Sequence, residues 1–140
     1  MAKALTQGVH HLGLTTPVLE ETAQFFTGVL GWQEVARIDY PAVFVSDGAV
    51  LVTLWAAKDE HPQAFDRHKN IGLHHVAFAV ADDAALQALH QKLQASGIPI
   101  EFAPQPVGGG PAEHTICYAP GGLRVEFFCT GKQAERSRPH

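Results

Sequence analysis

Nine histidines are present in a chain of 140 residues that holds one methionine and two tyrosines. Four of them form two doublets, His10-His11 and His74-His75, each followed by a strand-like run. Alternate residues of a strand share a face. His11, Gly13 and Thr15 are therefore expected on one side, and His10, Leu12 and Leu14 on the other. Likewise His75, Ala77 and Ala79 are expected opposite His74, Val76 and Phe78. The large apolar side chains are expected to pack on helices, while the small residues beside His11 and His75 leave room for a ligand. A carboxylate, Glu126, stands between Val125 and Phe127. Buried without a partner it would be costly, so the position demands one. Two neutral imidazoles and one carboxylate form the donor set of non-haem Fe2+ centres, and they also suit Mn2+, Ni2+ or Zn2+. His11, His75 and Glu126 are the expected metal ligands, one divalent ion per site, with positions left open for water or substrate.

The elements that must hold these residues come as a repeat. Val9-His-His-Leu-Gly-Leu14 is matched by Leu73-His-His-Val-Ala-Phe78, 64 positions later. A helical stretch follows each: Val18–Leu30, with Leu19, Ala23, Phe26 and Leu30 on its apolar face, and a second running to Ser96, with Leu86, Leu89 and Leu93. Asp82 is the expected N-cap of the second, and Gly31 and Gly97 the expected stops. Three short strands follow each helix: Gln33–Ile38, Ala42–Val45 and Val50–Trp55, then Ile98–Ala103, His114–Tyr118 and Leu123–Phe128. The turns before the last strands are marked by Ser46-Asp-Gly48 and Pro120-Gly-Gly122. The chain thus reads as one domain of two modules, about 9–57 and 71–130, joined by a polar linker at about 58–70 and followed by a polar tail, 131–140. The expected fold is α+β: two tandem βαβββ modules forming a curved mixed sheet around the metal site, with helices on the convex side.

This arrangement resembles the vicinal-oxygen-chelate superfamily of glyoxalases, bleomycin- and fosfomycin-resistance proteins and extradiol dioxygenases. The resemblance rests on His11-Leu-Gly-Leu14, Phe25-Phe-Thr-Gly-Val-Leu-Gly-Trp32, His75-Val-Ala-Phe78 and Pro120-Gly-Gly-Leu-Arg-Val-Glu126. It implies metal ligands on the first and last strands of each module, which fall on His11, Thr53, His75 and Glu126. Threonine departs from the carboxylate that glyoxalase I carries at the second place. Gly13 departs from the threonine of fosfomycin thiol transferases, and Ile116 from the tyrosine of extradiol dioxygenases. His114 and Tyr118, on one predicted strand face, are the candidate acid–base and substrate-contacting residues. The resemblance also implies a homodimer in which His11 of one chain completes a site with His75 and Glu126 of the other.

The implied function is a divalent-metal enzyme acting on a small substrate that chelates the metal through adjacent oxygens. Dioxygenase-type chemistry is placed ahead of a glyoxalase-like lyase or isomerase. The alternative from another class is a ligand-sequestering resistance-type protein without chemistry. A formal charge of −4, from ten basic and fourteen acidic residues, argues against a nucleic-acid partner. No apolar run has the ~18 residues of a membrane span. The first ten residues show no signal-peptide pattern. Two cysteines, Cys117 and Cys129, are too few for a disulfide framework, and a reducing, cytoplasmic location is expected.

Overall fold

The computed structural model describes residues 3–131; beyond Gly131 the expected polar tail lies outside the described residues. The chain divides into two compact units, one ending at Pro62 and the other starting at Gln63.

The first unit contains β1 (His11–Thr16), α1 (Leu19–Gln24), β2 (Gln33–Ile38), β3 (Ala42–Ser46) and β4 (Leu51–Ala56). Its sheet has the order β1-β4-β3-β2, with β1 and β4 parallel and the other pairs antiparallel. The second unit contains β5 (Val76–Ala79), α2 (Asp83–Ala95), β6 (Ile100–Pro106), β7 (Glu113–Tyr118) and β8 (Arg124–Cys129). Its sheet repeats the pattern as β5-β8-β7-β6. The βαβββ module predicted from the internal repeat is therefore built twice, each copy closing its own four-stranded mixed sheet. Among the described residues no helix is long and apolar enough to cross a membrane.

One face of each sheet is covered by its helix. In the first unit Val43, Val45, Val52 and Leu54 are fully buried, and α1 packs on β3 and β4 with Leu19 and Ala23. In the second, Val125, Phe127, Thr115 and Cys117 are buried, and α2, whose Leu86 and Leu93 are fully buried, packs on β6, β7 and β8. Each such aliphatic side chain contributes roughly 1.5–3 kcal/mol by leaving water.

The helix starts differ. Asp82 caps α2 as expected, its Oδ1 accepting from the Ala85 N–H at 2.8 Å. At α1 the buried Thr16 hydroxyl accepts from the Val18 N–H at 3.1 Å and meets the Thr22 hydroxyl at 2.8 Å, which itself donates to the Val18 carbonyl. The helical stretch expected over Val18–Leu30 is not uniform. After Gln24 it widens into a π-turn, Phe25–Val29, where the Leu30 N–H donates to the Phe25 carbonyl. The wider turn lets two consecutive rings, Phe25 and Phe26, both reach the core, edge to face at 5.3 Å. Gly31, at φ +76°, then turns the chain so that Trp32 packs on Phe26 at 4.9 Å.

Candidate functional site

The sheet faces turned away from the helices carry the candidate residues. In the second unit this face holds Arg124, Glu126 and Phe128 of β8, with Tyr118, Ile116 and His114 of β7 beside them in register. Ala77 of β5 pairs with Glu126 on its other side. Glu126 is 8% exposed, and each of its oxygens has an imidazole beside it. Oε1 lies 3.2 Å from His75 Nε2, and Oε2 lies 2.5 Å from His114 Nδ1. His114 thus gives the buried carboxylate a hydrogen-bond partner, while His75 stands beside its other oxygen. His114 is held in turn by ring contacts with Phe102 at 4.8 Å and Phe128 at 6.2 Å.

A second polar cluster occupies the end of the same face. Arg124 makes a bidentate pair with Glu101, Nε to Oε1 at 2.9 Å and Nη2 to Oε2 at 2.8 Å. The Tyr118 hydroxyl donates to Glu101 Oε1 at 2.5 Å and accepts from Arg67 Nη1 at 3.1 Å. Hydrogen bonds from Arg124 and then Tyr118 pull the Glu101 carboxyl down to about 2, despite the opposing effect of burial. The Arg124 side chain is only 12% exposed. Its Nη1 also reaches His74 Nδ1 at 3.2 Å, and His74 Nδ1 lies 2.8 Å from His75 Nδ1. Desolvation and then the charge of Arg124 lower the pKa of His74.

In the first unit His11 opens β1 and is exposed, with its Nδ1 3.0 Å from His10 Nδ1. The doublet contact is therefore repeated. Leu51 stands where the second unit has Arg124, and it pairs in register with His11. Thr53 stands where the second unit has Glu126. Its hydroxyl accepts from Trp55 Nε1 at 2.9 Å and is directed at the Leu12 carbonyl at 3.5 Å. A Cβ added at Gly13 would come within 3.3 Å of that hydroxyl, so the row is closed by fit. Around it Trp55 meets Tyr40 at 4.8 Å and Phe44 at 5.7 Å. Lys58 caps the group, with its Nζ 3.9 Å from the centre of the Tyr40 ring and bonded to the Tyr40 carbonyl.

Of the five site residues expected from the sequence, the second unit brings His75, Glu126 and His114 into one chain of contacts. Tyr118 belongs to the neighbouring Glu101 cluster, and His11 lies in the first unit. Sequence reasoning missed Glu101, Arg67 and the engagement of His74. Only Glu101 left a signal, as the single carboxylate in the apolar run Ile98–Ala103.

The donor chemistry of the second unit suits a divalent cation. Two ligand atoms held cis at ~2.1 Å from one metal lie roughly 3 Å apart, close to the separation of His75 Nε2 and Glu126 Oε1. Among the described residues, no group of three or more His, Cys, Asp or Glu side chains is arranged to hold a metal ion. The two cysteines are buried and form no disulfide, Cys129 Sγ donating to Asp83 Oδ1 at 3.3 Å, and burial pushes the Cys117 thiol up to about 12, which leaves it inert.

A repeated βαβββ module with a histidine ahead of one strand and a glutamate on its parallel neighbour fits the resemblance read from the sequence, and the comparisons agree. The sequence profile of the Glyoxalase/Bleomycin resistance protein/Dioxygenase superfamily matches residues 8–127, and the chain belongs to that superfamily. It is similar to a glyoxylase/bleomycin resistance protein/dioxygenase domain from Frankia sp. EAN1pec, at 21% identity and a TM-score of 0.77 over 91% of this chain and 94% of that one. It is also similar to a lactoylglutathione lyase from Agrobacterium tumefaciens, at 21% identity and a TM-score of 0.70 over 90% and 96%. A genomically encoded fosfomycin resistance protein from Listeria monocytogenes gives 15% identity and a TM-score of 0.70 over 94% and 99%. At these identities the likeness speaks for the fold. No curated protein matches the chain.

Proposed function

We propose that this protein is a divalent-metal enzyme whose small substrate offers two adjacent oxygens to the metal. The observation that carries the reading is Glu126, a nearly buried carboxylate placed 3.2 Å from His75 Nε2 at a spacing two cis ligands can share. His75 and Glu126 would hold the ion, and His11 of a partner chain in a homodimer would be the third ligand. When bound, Fe2+, Mn2+, Ni2+ or Zn2+ acts as a Lewis acid that polarises the substrate's oxygens.

The chain's own residues supply orientation and proton handling. Glu126 Oε2 accepts the proton on His114 Nδ1, which leaves His114 Nε2 free to take a proton from substrate or return it. The rings of Phe102 and Phe128 hold that imidazole in place. Tyr118 contacts substrate from the end of β7, its hydroxyl oriented by Glu101 and Arg67. Dioxygenase-type chemistry leads, with glyoxalase-type isomerisation second.

One observation favours a second reading. Tyr40, Phe44 and Trp55 form an aromatic cluster in the first unit, the kind of surface a ligand-sequestering protein uses. The deciding experiment measures metal content on protein purified without added metal or affinity tag. About one Fe, Mn, Ni or Zn per chain, lost in His75→Ala and in His11→Ala, supports the enzyme and directs screening to catechols and α-hydroxy ketone adducts. No metal, before or after reconstitution, overturns it in favour of sequestration.

A further inference from the structure

We propose that His74 and Arg124 act together as a positioning pair that fixes the tautomer of His75, placing its proton on Nδ1 and its lone pair on Nε2. The inference rests on the reading of His75 as a metal ligand and goes beyond it, because it assigns a task to the first histidine of the doublet.

The argument is a count of protons. A guanidinium carries only donors, so Arg124 Nη1 must donate to His74 Nδ1 across their 3.2 Å contact. That nitrogen therefore bears a lone pair. His74 Nδ1 also lies 2.8 Å from His75 Nδ1, and a contact between two ring nitrogens needs one donor. The donor has to be His75. With its proton on Nδ1, a neutral His75 presents a bare Nε2, and it presents it 3.2 Å from Glu126 Oε1. Two lone pairs facing each other repel, and a cation between them removes the repulsion. The direction of bonding is anchored at its far end, since Glu101 grips Arg124 at Nε and Nη2 and leaves Nη1 for His74. Metal-binding histidines usually donate their second N–H to a carboxylate or a carbonyl. Here a neighbouring imidazole takes that place, with its own polarity set by an arginine.

The first unit contains the natural control. His10 and His11 make the same Nδ1–Nδ1 contact at 3.0 Å, but Leu51 stands where Arg124 would be. Among the described residues nothing orders that pair, so either ring can be the donor.

Two independent readouts test the proposal. The first is the tautomer of His75 in metal-free protein, read from ring-nitrogen NMR shifts at alkaline pH with the imidazoles neutral. Wild type should show the proton on Nδ1, and Arg124→Met should show both tautomers. The second is divalent-metal affinity by competition titration. His74→Ala should weaken binding by roughly 10–100-fold, the usual cost of losing an outer-shell partner. His74→Asn, whose Oδ1 can accept at the position of Nδ1, should restore most of it. Proton on Nε2 in wild type, or unchanged tautomer and affinity in His74→Ala, overturns the proposal even if His75→Ala loses metal. If His75→Ala binds metal as well as wild type, the ligand reading fails, while the NMR result still decides the tautomer.

Discussion

The two sheets share strand order, strand polarity and a helix-covered face, yet their uncovered faces differ at every aligned position on the last strand. Leu51, Thr53 and Trp55 of β4 stand where β8 has Arg124, Glu126 and Phe128. In the first unit the polar member of the row is satisfied internally, its hydroxyl bonded by the indole of Trp55. In the second, the polar member is a carboxylate with two imidazoles beside it, and the Arg124–Glu101 cluster occupies the end of the same face. The covered face carries the fold and tolerates little change in polarity. The other face is where the two modules differ in chemistry, with Thr53 in one and Glu126 in the other both buried.

That contrast can be broken most forcefully at the aligned Thr53 and Glu126. Glu126→Ala should abolish tight metal binding with the fold retained, whereas Thr53→Ala should leave metal affinity as it is. Equal losses in a competition titration would mean that both modules ligate. On the covered faces the modules should behave alike. Phe26→Ala, ~3–5 kcal/mol, and Leu93→Ala, ~2–5 kcal/mol, should destabilise to overlapping extents in denaturant unfolding. A large gap between them would show that the units do not share the stability evenly.

Thr53→Glu sharpens the comparison by giving the first module the residue of the second. A fourth ligand, the second carboxylate of the set, should change which divalent ion is preferred. Identical affinity and selectivity across Mn2+, Ni2+ and Zn2+ would show that position 53 does not face the metal. The smallest effect concerns charge. Glu101 titrates near 2 in the folded chain against an ordinary value near 4.5, so its contribution is complete above 4.5 and lost as pH falls towards 2. Glu20 of the first unit is also lowered, by its bond to Arg37, but that pair is exposed and should fade in high salt. Acid unfolding of Glu101→Gln should therefore lose part of its dependence in that window, and Glu20→Gln should match wild type at high ionic strength. If Glu101→Gln keeps the full wild-type dependence, the cluster around Tyr118 is not held by charge.

Much of this architecture was legible in local chemistry. Asp82 could be read as a cap because an aspartate one residue ahead of a helix bonds only to its near neighbours in sequence. The Glu126 carboxylate could be flagged because alternation exposed it as a charge in a buried run. The Glu101 cluster could not be read. It joins positions 67, 101, 118 and 124, and nothing in a one-dimensional pattern brings those together. The role of His74 was missed for a different reason. Strict alternation placed it on the side away from His75, but β5 begins only at Val76, and ahead of the pleat neighbouring side chains can converge. The π-turn was also hidden, because a 3.6-residue period and a locally wider one bury nearly the same set of side chains.

The turn at Phe25–Val29 bears on how this chain could change in length. A π-turn holds one residue more than the helical turn it replaces. Removing Thr27 or Gly28 would leave a segment still able to coil, but it could then seat only one of the adjacent phenylalanines in the core. Single-residue deletions there should be selected against although they fall within a helix rather than a loop, and a spontaneous second-site change restoring them would be expected to enlarge a neighbour of the displaced ring.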